Sequence, residues 1–169
     1  MKAVGVILAI AAALVLQTSL GRFVIRGTVA VDLVLVVVVY VALTSGPVTG
    51  MLSGTAAGLA QDALSTGVIG IGGLAKTLVG FLVGIIGTQF IVSQPIPRFV
   101  VFLAATALHA FVFIGLYVLL DLRQFGTPYA AVAGQAVGNA IVGVVAFQLV
   151  ELLPGVLERR RAQRARIRR

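Results

Sequence analysis

The sequence predicts an all-α polytopic membrane protein of six transmembrane helices, and three observations carry the prediction. Of its 169 residues 60% are hydrophobic and only 11% charged, about half the charge of soluble domains, and the mean hydropathy is +1.13. Apolar runs of ~20 residues, the length a hydrocarbon core requires of a helix, recur along the chain. The runs are continuous rather than alternating, which fits helices and not a barrel. So little of the chain lies outside them that no soluble domain is expected.

Met1 and Lys2 precede the first run, residues 3–20. It is longer than the apolar region of a secretory signal and lacks a small-residue cleavage site at its far end, so it reads as an uncleaved first span. A short loop with Arg22 and Arg26 follows. The second span, about 30–44, opens at Asp32, where a carboxylate complements a helix N-terminus. Its run of valines suits a lipid-facing helix.

The third span, 47–61, reads GPVTGMLSGTAAGLAQD with its flanks, and the rest of the chain is organised around it. Pro47 suits a first helical turn, where its missing N–H costs nothing. Gly46, Gly50, Gly54 and Gly58 recur every four residues, forming one stripe on which another helix can lie directly against the backbone. Internal packing is the favoured use of such a ridge over docking of a foreign helix. Gln61 and Asp62 end it. The glycine-studded stretch 62–73 is either the start of the fourth span, about 70–92, or a loop folded back against the bundle. The fourth span carries Lys76, Gly80 and Gly84.

Two prolines in Ser93-Gln94-Pro95-Ile96-Pro97-Arg98 mark a break, so the fifth span is expected over 99–120 with His109 near its midpoint. The sixth, 129–153, carries Gly134, Gln135, Gly138 and Asn139, a face suited to close packing and interhelical hydrogen bonds. Pro154-Gly155 is expected to end it. The tail, 158–169, follows. Seven of the thirteen basic residues lie in the last eleven positions: Arg159, Arg160, Arg161, Arg164, Arg166, Arg168 and Arg169. They produce most of the net charge of +8. Anionic lipid at the membrane surface is the expected partner of this tail rather than nucleic acid. With six spans, Lys2, Arg98 and the tail share one side, and Arg22, Arg26 and Arg123 the other. The larger group belongs in the cytoplasm.

Composition narrows the chemistry. There is no cysteine and one histidine, which excludes disulfides and thiolate sites and leaves too few ligands for a histidine-built metal centre. No Walker A, HExxH or GxSxG sequence occurs. Neither catalysis nor a cofactor nor a metal is expected. The polar set that stands out is Asp32, Gln61, Asp62 and Lys76, which the six-span topology gathers toward one interface. They form a candidate polar pocket or partner contact. Asp62 ends one helix where Lys76 starts the next, so an Asp62–Lys76 ion pair fixing the hairpin is expected. A lone histidine in a span is more often hydrogen-bonded and neutral than proton-handling.

LQTSL at the end of the first span, VDLVLVVVVYVAL in the second and GPVTGMLSGTAAGLAQDALSTGVIGIGGLAKTLVGFL through the third and fourth resemble the rod shape-determining protein MreD family. Asp32, Gly46, Gly50, Gly54, Gly58, Asp62, Gly70, Leu74 and Gly80 occupy the places of the family's pattern. Val31 departs from it, standing where proline is usual. The resemblance implies a non-enzymatic subunit of the bacterial elongation machinery in the inner membrane. It would bind the single-span protein MreC and act indirectly with MreB, RodA and a class B penicillin-binding protein. It also implies a fold similar to the substrate-binding S components of energy-coupling-factor vitamin transporters, which makes such a component the competing reading. A membrane enzyme of lipid metabolism ranks last, for want of a nucleophile or metal set.

Overall fold

A helix apolar on every side has no preferred face for water and belongs inside, and that is where the valine-rich second helix lies. The computed structural model describes residues 3–21, 31–65, 67–90, 92, 94–122 and 129–167, with the side chains at 20–21 and 153–167 outside the description. Six helices follow in order: α1 (Ala3–Gly21), α2 (Leu33–Ser45), α3 (Pro47–Leu64), α4 (Ile71–Gln89), α5 (Pro95–Leu119) and α6 (Tyr129–Ile167). Three are long and apolar enough to cross a membrane, namely α4, α5 and the Tyr129–Leu152 part of α6. Ala3–Ser19 and Leu33–Ser45 are shorter apolar helices.

The expectation that the valines of α2 face lipid is corrected. Val34, Val38 and Val41 are wholly buried, packed with Val6, Ile10 and Ala13 of α1. The opposite side of α2, with Leu35, Val39 and Ala42, meets Val79 and Val83 of α4, Phe102 and Ala105 of α5, and Ala140 and Phe147 of α6. Lipid is as apolar as a protein core, so hydropathy alone cannot tell a lipid-facing helix from a central one.

One residue, Gly46, joins α2 to α3, and its φ of +86° is a conformation that side chains with a Cβ rarely adopt. The glycine ridge then works as an interior surface. Gly50 faces Gly80, Gly54 faces the Lys76 carbonyl, Gly58 faces Gly73, and Gly84 faces Pro47, all at backbone contact. These pairs run in opposite order along α3 and α4, the signature of an antiparallel hairpin. Thr55 and Thr77 add a hydroxyl hydrogen bond of 2.7 Å across the same seam. On α6 the close contact is made by Gly143, which meets the ring of Phe102, while Gly134 and Gly138 are half-buried.

Three boundaries differ from the sequence reading. α3 runs on to Leu64, so the hairpin link is only residues 65–70. α5 begins at Pro95 rather than Phe99, because the first turn of a helix has no intrahelical use for its N–H groups and so tolerates both prolines. Pro154-Gly155 does not end α6, whose backbone stays helical to Ile167.

Candidate functional site

At 13 residues α2 is about 20 Å long, well short of the ~30 Å hydrocarbon core. Its N-terminus therefore falls inside the bundle. Non-helical backbone at membrane depth survives only where protein satisfies it, and four elements supply what is needed. The Asp32 carboxylate accepts the Leu35 N–H at 2.9 Å as N-cap. Gln17 of α1 accepts the Leu33 N–H at 2.8 Å and donates to the Val31 carbonyl at 2.9 Å. Asn139 of α6 accepts the Asp32 N–H at 2.8 Å and donates to the Thr106 hydroxyl of α5 at 3.1 Å. Thr106 in turn donates to the Phe102 carbonyl.

The second Asp32 oxygen holds the charge partner. Lys76 Nζ lies 2.9 Å from it and 3.2 Å from His109 Nε2. An ammonium group can only donate, so Nε2 is the acceptor and the ring proton sits on Nδ1. The His109 ring stacks on Phe113, which packs against Tyr117, and the Tyr117 hydroxyl accepts the Val68 N–H at 3.1 Å. Asp32, Lys76, His109, Thr106 and Asn139 are all under 9% exposed. His109 is 14 residues from Pro95 and ten from Leu119, about 21 Å and 15 Å along α5, and Asn139 is about 15 Å from the start of α6. The cluster is thus near the middle of the membrane-crossing bundle.

The expected Asp62–Lys76 pair does not form, because both members have other partners. Asp62 remains on α3 and its Oδ2 accepts the Gly70 and Gly73 N–H groups at 2.9 and 3.0 Å. It thereby caps α4, whose own N-cap residue, Gly70, has no side chain to do so. Gly72 passes so close to this carboxylate that a Cβ there would collide with it. Asp62→Ala is expected to cost about 1–2 kcal/mol, the usual loss for a cap, read as a lowered thermal midpoint by far-UV circular dichroism in detergent. Lys76 is 3% exposed. Gln61 is half-buried beside Asp62, its Oε1 shielded and without a partner among the described residues. Of the four candidate polar residues, the structure brings Asp32 and Lys76 together and leaves Gln61 and Asp62 at the hairpin end. The tail arginines and Arg22, Arg26 and Arg123 lie outside the described side chains.

A second ionic contact was not foreseen. Arg98 of α5 donates from Nη1 to Glu151 of α6 at 2.9 Å and from Nη2 to the other carboxylate oxygen. Glu151 is the single acid in the sixth apolar run, and an acid so placed calls for a partner. That was the available signal. Among the described residues no group of three His, Cys, Asp or Glu side chains is disposed to hold a metal ion.

The glycine-spaced α3 with Asp62 near its end, the glycine-rich link into α4 and the all-helical membrane bundle are features that the resemblance implied. The buried cluster around Asp32 and Lys76 is not among them. The model of the rod shape-determining protein MreD family matches residues 1–154. The chain belongs to the MreD family. Neither a curated protein nor a solved structure matches it. Membership implies a role in rod shape determination. The matched region takes in all six helices up to the point where α6 enters the arginine-rich tail.

Proposed function

We propose that this MreD-family chain is a non-catalytic inner-membrane subunit of the bacterial cell-elongation machinery, binding MreC and so helping to control lateral peptidoglycan synthesis. The match over residues 1–154 carries the reading. The polar groups support it by their engagement with one another. Asp32, Lys76, His109 and Asn139 are buried and mutually bonded, an arrangement that fixes the relative positions of α2, α4, α5 and α6. A rigid bundle is what a scaffold needs. All six helices cross the membrane in this reading, and both termini are cytoplasmic, following the excess of basic residues on the side of Lys2, Arg98 and the tail. MreB, RodA and the class B penicillin-binding protein are reached through MreC.

A vitamin-binding S component would need convergent polar groups open to the outside. The candidates for that task, Asp32, Asp62 and Lys76, are engaged in the ion pair and the α4 cap. Co-expression with MreC from the same genome and purification in mild detergent tests the proposal. A stable complex is expected, surviving size exclusion; two folded proteins that elute separately would refute it.

A further inference from the structure

Arg98 sits in the first turn of α5 and is 4% exposed. Its guanidinium carbon lies 4.0 Å from the centroid of the Phe147 ring, and Phe147 is itself braced by Tyr40. Nε donates to the Val92 carbonyl at 3.1 Å, and Nη1 and Nη2 each donate to one oxygen of Glu151. Those bonds engage three of the five N–H donors that a guanidinium carries. The other two have no partner among the described residues. Beside the guanidinium opens a cavity of about 450 Å³, where α2 and α4 end, lined by Thr88, Gln89, Phe90, Phe147 and Glu151 among others.

The two partners of this pair are unequal. The Arg98 side chain is 5% exposed and pinned on an aromatic face, whereas that of Glu151 is 53% exposed. A half-exposed carboxylate that turns outward is received by water at little cost. A buried guanidinium cannot be left without an anion. Whatever displaces Glu151 must therefore bring its own pair of negative oxygens in a fork geometry, as phosphate and carboxylate do. The location favours phosphate. Glu151 is the penultimate residue of the membrane-length part of α6, and Arg98 is in the first turn of a membrane-length helix, so both stand at headgroup level. The chain also sends seven arginines beyond this same end of α6, and such a basic segment concentrates anionic lipid at the adjoining surface. Basic pockets between helices at a membrane boundary suit lipid headgroups.

We propose that Arg98 is the centre of a phosphate-binding site for an anionic phospholipid headgroup, and that the Glu151 carboxylate occupies this site when no lipid is bound. Glu151 is then a competitor of the ligand, which gives the proposal an outcome that a merely structural ion pair does not share.

The test uses the full chain reconstituted in vesicles of phosphatidylethanolamine with phosphatidylglycerol, extracted in mild detergent, with retained lipid counted by native mass spectrometry. The parent is expected to retain phosphatidylglycerol in preference to phosphatidylethanolamine. Glu151→Gln removes the competing charge and is expected to raise that retention about tenfold, equivalent to about 1.4 kcal/mol. Arg98→Gln is expected to lower the preference to what the arginine tail alone supports. Glutamine at 151 still accepts a hydrogen bond from the guanidinium and the vesicle lipid supplies the anion, so the comparison of parent with Glu151→Gln stands even if the Arg98 variant does not fold. Every protein in the series keeps the arginine tail, so differences among them report on Arg98. Retention unchanged or reduced in Glu151→Gln would overturn the proposal. Inorganic phosphate bound by Glu151→Gln, with no preference among the phospholipids, would overturn the lipid assignment.

Discussion

Lys76→Met is expected to destabilise the protein by about 3–5 kcal/mol, the range for removing one partner of a buried ion pair. Methionine matches the lysine stem in length and flexibility, so the change is mainly one of charge. Asp32 is left with a carboxylate near mid-membrane, its Oδ1 still capping Leu35 but its Oδ2 with no cation. His109 loses the donor to Nε2 in the same step. Asp32→Asn alone has a similar defect of opposite sign, an ammonium group held only by an imidazole. The double variant Asp32→Asn with Lys76→Met is expected to recover most of the loss. Asparagine caps a helix about as well as aspartate, and replacing a buried ion pair by neutral groups is often neutral or stabilising. The measurement is a double-mutant cycle on unfolding in mixed detergent, followed by far-UV circular dichroism. Single variants as stable as the parent, or a double variant showing simply the sum of two losses, would mean that the pair does not hold α2 against α4.

Asp32 shows what a sequence can and cannot disclose in such a protein. Its role at the start of α2 was legible, because a carboxylate before an apolar run is a helix-start signal. Its cation was not. Distance along the chain pointed Lys76 toward Asp62, fourteen positions away, but Asp62 is claimed by the N–H groups of Gly70 and Gly73. That claim depends on where α4 begins, and a run of glycines hides the boundary. The burial of α2 was illegible for a different reason: its uniform valines look alike to lipid and to core. Asn139 was legible as an interhelical hydrogen-bonding residue, but the Asp32 N–H it serves was not, and Gln17 gave no signal beyond its place at the end of the first span. Their purpose emerges only when α2 proves too short to bring its first turn to the membrane surface. Arg98 was read as a loop residue because Pro95 and Pro97 looked like an interruption, whereas they occupy the first turn of α5. The close packing of α3 inside the bundle, by contrast, was favoured from glycine spacing, since a stripe without side chains suits another backbone. The spacing did not name α4 as the partner.

The hairpin of α3 and α4 carries the second large effect. Gly54→Leu is expected to destabilise the bundle by at least about 3 kcal/mol, at or beyond the top of the usual range for overpacking. The cost of a small-to-large change depends on whether the neighbour can give way. At Gly54 the atoms that a Cβ would strike are the carbonyl of Lys76 and the amide of Thr77, which are backbone, not a side chain with another rotamer. Relief would require α4 to move away from α3. Lys76 is on α4 and its ammonium is tied to Asp32 and His109, so the displacement would pull at the mid-membrane cluster as well. The damage should therefore spread to α2 and α5. Gly54→Ala is expected to lie between parent and leucine, since even a methyl group meets the same carbonyl. Gly115 supplies the control, because a Cβ built there meets nothing within 4 Å; Gly115→Ala should leave stability unchanged or improve it slightly, as alanine favours helix over glycine. Thermal midpoints of the four proteins in one detergent decide the matter. The expected order is Gly115→Ala at or above the parent, then Gly54→Ala, then Gly54→Leu. Gly54→Leu melting with the parent would show that α3 and α4 do not meet through backbone at this point.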